Sequence, residues 1–74
     1  MRYEQLLQAV RNEMIQNRLG EYKQIASEVF PDVRSAYSWL TKAIDGQLKT
    51  PDPIRIERLA VYLDILDDEE QAAA

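Results

Sequence analysis

The sequence predicts an all-α domain of four, at most five, helices. Three observations carry this. Apolar residues recur at spacings of three and four along most of the chain, the helical period. No stretch alternates apolar and polar residues as a half-buried strand would. The helical segments are separated by Gly and Pro, the residues that stop and start helices.

Each element follows from its own pattern. Over residues 3–19, Tyr3, Leu6, Leu7, Val10, Met14 and Ile15 form an apolar stripe. Glu4, Gln8, Arg11, Asn12 and Arg18 occupy other faces, as in an amphipathic helix. Gly20 supplies the left-handed conformation that closes a helix. A short second helix places Tyr22, Ile25, Ala26 and Val29 on one face. It ends at Phe30-Pro31-Asp32, because Pro disfavours helical geometry at the residue before it. Asp32 is expected to cap the third helix, over residues 33–45, which Gly46 closes.

In that third helix Val33, Ala36, Tyr37, Leu40, Ala43 and Ile44 share one stripe at about 100° per residue. Arg34, Ser35, Ser38 and Lys42 lie opposite, and Trp39 lies at the border. A loop over residues 47–51 carries Lys49. Asp52 as cap and Pro53 at the first helical position start the fourth helix. Its expected buried face is Ile56, Leu59, Ala60, Leu63 and Leu66.

Length and composition narrow the function. Seventy-four residues make one small domain, here 1–66, with 67–74 as an acidic and then Ala-only tail expected to fray. His and Cys are both absent. The usual general base, thiol nucleophile and zinc ligands are therefore missing, and no catalytic constellation is visible. Gly20 and Gly46 are the only glycines, so no Gly-rich phosphate loop can be built. The reading is of a non-enzyme without a cofactor or metal.

Apolar runs are short, Leu59-Ala60-Val61-Tyr62 among them, which predicts no membrane span and a cytoplasmic protein. The net charge of −4 arises in the tail. Setting aside Asp67, Asp68, Glu69 and Glu70 leaves nine basic and nine acidic residues. A neutral body argues against strong non-specific nucleic-acid binding but allows a local basic face.

The order of a long helix, two short helices joined by a tight segment, and a further helix suits a helix-turn-helix domain. Four stretches carry a more specific likeness: Gln24-Ile25-Ala26, Leu40-Thr41-Lys42-Ala43-Ile44-Asp45-Gly46, Lys49-Thr50-Pro51, and the run from Ile56 to Ile65. Over about 44 residues the chain resembles phage repressor and Cro-like, lambda-repressor-like, helix-turn-helix domains. It differs at the turn, where Phe30-Pro31-Asp32 replaces the usual Gly, and in a longer stretch from Ala26 to Gly46.

The resemblance implies a regulator that reads double-stranded DNA in the major groove with its third helix, as a homodimer. Arg34, Ser35, Ser38 and Lys42 would face the DNA. Lys23, Gln47, Lys49 and Thr50 would hold phosphates, Lys49 foremost because the family carries a basic residue in that loop.

Each feature has a plainer reading. The polar face of the third helix is also what any surface helix presents. Trp39 suits half-buried packing, and Tyr3, Tyr22, Tyr37 and Tyr62 suit the core or its edge. Phe30 reads as a plug under the turn. The carboxylates of Asp64 and the tail lack the spacing of a calcium loop. The competing function is a helix-turn-helix-like protein-interaction module that does not bind DNA. An antitoxin that binds both a partner protein and DNA is a third option.

Overall fold

Four helices form at the expected apolar spacings. The computed structural model describes residues 2–66. They run α1 (Tyr3–Asn17), α2 (Tyr22–Val29), α3 (Ala36–Asp45) and α4 (Pro53–Tyr62). Among the described residues no strand occurs. The acidic and Ala-only tail predicted for 67–74 lies outside them.

The expected stop of α3 and start of α4 are in place, while α1 ends at Asn17, short of the expected residue 19, with Arg18 as its cap. Gly20 and Gly46 take φ of 98° and 89°, the left-handed region. At α4 the Asp52 carboxylate accepts a hydrogen bond from the Ile54 N–H at 2.9 Å, with Pro53 in the first turn.

Helix α1 packs on α3 and α4, and α2 packs on α3 and α4. Their apolar stripes close one core. Val10, Met14, Leu40, Ala43, Ile56, Leu59 and Ala60 are fully buried. Each buried Leu, Ile, Val or Met side chain contributes about 1.5–3 kcal/mol. Tyr3 fastens α1 to the loop before α4 by donating its hydroxyl to the Pro51 carbonyl at 2.6 Å.

The third helix departs from expectation. It begins at Ala36, not Val33, so Arg34 and Ser35 lie in the preceding turn. The reason is the packing of that turn. Phe30 is buried beneath it, as predicted, and its carbonyl accepts from the Val33 N–H at 3.1 Å. Asp32 does not cap α3. Its carboxylate receives Arg58 of α4 at 3.3 Å. Ser35 is the residue before the helix, at φ 58° and without a side-chain capping bond. This left-handed conformation costs about 1 kcal/mol or more outside Gly.

Four further side chains differ from the sequence reading. Ile15 is 52% exposed, since it lies about 100° round α1 from the fully buried Met14, off the stripe that the core covers. Tyr37 and Tyr62 are 50% and 42% exposed rather than core-edge residues. The Tyr62 hydroxyl is drawn outward to the Glu28 carboxylate. Leu66 is only partly buried because α4 ends at Tyr62 and the chain turns through Asp64 at φ 64°.

Candidate nucleic-acid interface

The turn between α2 and α3 is built from below by aromatic packing. Phe30 meets Trp39 of α3 edge-on, with ring centroids 5.5 Å apart and planes at 72°. Arg58 stands 5.0 Å over the Phe30 ring, and Arg55 stands 5.1 Å over Trp39. Arg58 also donates to the Val29 carbonyl at 2.6 Å. Two arginines of α4, three residues apart on neighbouring positions of one helix face, thus clamp the turn and the first half of α3. Trp39 is packing, as the plainer reading had it.

Arg11 on α1 secures the other end of α3. Its guanidinium donates to the Ala43 carbonyl from Nε and to the Leu48 carbonyl from Nη2, both at 2.9 Å. The Lys42 carbonyl accepts from the Gln47 and Leu48 N–H groups at 3.0 and 3.3 Å. Sequence reasoning placed Arg11 only off the apolar stripe of α1. The only available signal was that the last-turn carbonyls of α3 need donors from somewhere.

All eight nominated residues are exposed: Lys23, Arg34, Ser35, Ser38, Lys42, Gln47, Lys49 and Thr50. They run from the first turn of α2 to the loop after α3. Only Ser38 and Lys42 lie on α3 itself, one helical turn apart on the same face. Arg34 and Ser35 precede it, and Gln47, Lys49 and Thr50 follow it.

Eight of the nine Lys and Arg side chains fall into two groups; the ninth, Arg2 ahead of α1, also has no ion pair among the described residues. Arg11, Arg18, Arg55 and Arg58 are engaged with the protein. Arg18, for example, lies 3.5 Å from Glu13 and 3.6 Å from Glu21. Among the described residues, no carboxylate pairs with Lys23, Arg34, Lys42 or Lys49. No side-chain hydrogen bond within the described chain occupies them either. Lys42 does lie in the last turn of α3, where a cation also favours the helix dipole.

Tyr37 was missed as a surface residue because its helical phase places it with the apolar stripe. Two open grooves, of about 250 and 230 Å³, meet at Tyr37 and Lys23. One runs over Ser27, Pro31 and Val33, and the other toward Leu19, Gly20 and Tyr22. The Tyr22 hydroxyl titrates above its ordinary value, first from burial and then from Asp45. Among the described residues no group of three acidic side chains converges as a metal site would require.

Chemically, this surface offers cations without a partner among the described residues, hydroxyl groups and one exposed phenol ring on a buried, clamped support. Comparison with protein-family models, curated proteins and solved structures finds no match to this chain.

Proposed function

We propose that this chain is a sequence-specific DNA-binding regulator of helix-turn-helix type. The division of its cations carries the reading. Four arginines are used to build the fold, whereas Lys23, Arg34, Lys42 and Lys49 have no partner among the described residues. These four sit on α2, the turn, α3 and the following loop. That is where a helix-turn-helix would meet phosphates, with the start of α3 directed at base edges. Ser35 and Ser38 supply hydroxyls at that start.

One subunit offers few phosphate contacts, so useful affinity calls for a homodimer on paired half-sites. The apolar side chains left exposed near the end of α1, Ile15 and Leu19, and on α4, Ile54 and Tyr62, are available for self-association. A regulator of this kind would act in the cytoplasm on double-stranded DNA. No helix among the described residues is long and apolar enough to cross a membrane.

The test is selection of bound duplexes from a random pool, with affinity followed across a salt series. An enriched inverted repeat and a steep negative salt slope are expected. No enrichment at low salt, from protein shown to be folded, would overturn the reading. Weight would then pass to a protein-interaction module, which the 76% exposed Leu19 and 67% exposed Ile54 favour.

A further inference from the structure

We propose that Tyr37 reads a pyrimidine C5-methyl group, which in unmodified DNA means a thymine, at one position of each half-site. The inference rests on the DNA-binding reading above and concerns the same surface.

Tyr37 is the second residue of α3, and its neighbour Ala36 is buried, which seats the helix start against the core. The Tyr37 ring is half exposed. It is the one aromatic ring at the exposed start of α3, among hydroxyl and cationic side chains. In helix-turn-helix docking, the first residues of the second helix approach base edges. The major groove presents one apolar group, the thymine methyl, and apolar side chains contact it.

Position agrees with this chemistry. Lys23 and Tyr37 border the same two grooves. Ser38 follows about 100° further round α3, on the face it shares with Lys42. Tyr37 therefore has Lys23 across the shared grooves and Ser38 next round its own helix. Moving inward from a DNA strand, the order is phosphate, pyrimidine C5-methyl, then the hydrogen-bonding base edge, because C5 lies on the side of the base nearest its own backbone. A cation, a ring and a hydroxyl gathered at the start of α3 supply a partner of the right chemistry for each of those three groups. Thr41 donates its hydroxyl to the Tyr37 carbonyl at 2.8 Å, so the hydroxyl one turn on is turned back to the helix rather than toward a base.

Deoxyuridine differs from thymidine only by the absent methyl, so the test substitutes it singly through the selected site. Wild-type protein is expected to lose about fourfold in affinity at one thymine per half-site, the worth of one buried methyl group. Tyr37→Phe keeps the ring and should keep that loss. Tyr37→Ala should bind more weakly, retain its helical circular dichroism, and become indifferent to deoxyuridine at that position. The proposal is overturned if no position responds to deoxyuridine, or if the response survives unchanged in Tyr37→Ala. In both cases DNA binding itself would stand. Wild-type protein that binds no duplex would overturn both the proposal and the reading beneath it.

Discussion

Arg11 donates from Nε to the carbonyl oxygen of Ala43 at 2.9 Å, across 32 residues of sequence. The same guanidinium reaches the Leu48 carbonyl. One side chain of α1 therefore closes the C-terminal end of α3 and holds the start of the basic loop that carries Lys49. Helix ends leave carbonyls without intrahelical donors, and Ala43 is buried from water. Arg11 supplies what the helix lacks.

Arg11→Met keeps an apolar stem but removes both donors. Hydrogen bonds from charged groups contribute about 1.5–3 kcal/mol each, and a part-buried pair sharing one guanidinium falls near the lower end. A loss of about 2 kcal/mol is expected, which lowers Tm on the order of 10 °C for a domain of this size. Thermal unfolding followed by circular dichroism measures it. An unchanged Tm would mean that the Arg11 contacts add nothing to the fold.

Phe30 is 1% exposed and touches both Trp39 and Arg58. Removing such a ring typically costs about 3–5 kcal/mol. A single core in a chain below about 80 residues rarely supplies more than that. Phe30→Ala is therefore expected to lose its cooperative urea transition at 25 °C. A normal transition in this variant would show that the turn is held by other contacts.

The contact between Tyr62 and Glu28 predicts a pH response. The hydrogen bond from the Tyr62 hydroxyl, then that from Gln24, holds the Glu28 carboxyl below its ordinary value. The same bond, ahead of burial, raises the Tyr62 hydroxyl above its own. A depressed carboxyl favours the fold above its unfolded value, and that contribution fades as pH falls through the folded value. A raised phenol favours the fold below its unfolded value and stops doing so as pH rises through the folded one. The contact should thus hold between the carboxylate and phenol ranges and loosen outside them. Carboxyl-carbon NMR titration should show the Glu28 midpoint moving upward in Tyr62→Phe. A midpoint that stays in place would refute the assigned cause.

Arg34 and Lys42 are exposed and have no partners among the described residues. The double substitution Arg34→Ala, Lys42→Ala should leave the helical spectrum unchanged. For every phosphate no longer neutralised, the salt slope of DNA binding should fall by about 0.9. A folded double variant with the wild-type slope would remove both residues from the interface.

Much of the fold was legible in particular residues. Gly46, Asp52 and Pro53 mark their helix ends by local backbone chemistry, and the structure keeps those three roles, whereas α1 already ends at Asn17 and Gly20 shapes the turn after it. Phe30 before Pro31 was readable as a buried plug for the same reason. The start of α3 was not readable. Val33 has the right helical phase, but phase alone does not say whether a residue joins the helix or packs from the turn before it. Tyr37 was misplaced by the same limit, since an amphipathic face has two edges and only packing decides which one is covered. The eight nominated polar residues were legible as surface, because short polar and basic side chains off the apolar stripe have no core to enter.

By itself the sequence determined that the chain is all-α and most of what its helices bury, and left the number of helices at four or five. Those are local matters, decided by apolar period, Gly and Pro. The tertiary structure alone decided which cations serve the fold and which stay available. Arg11 meets Ala43, and Arg58 meets Val29 and Asp32, across 32, 29 and 26 residues of sequence. No spacing rule encodes such pairings. A guanidinium finds an orphaned carbonyl or an aromatic face only after the helices have packed. The charges with no such partner then form the surface the domain presents.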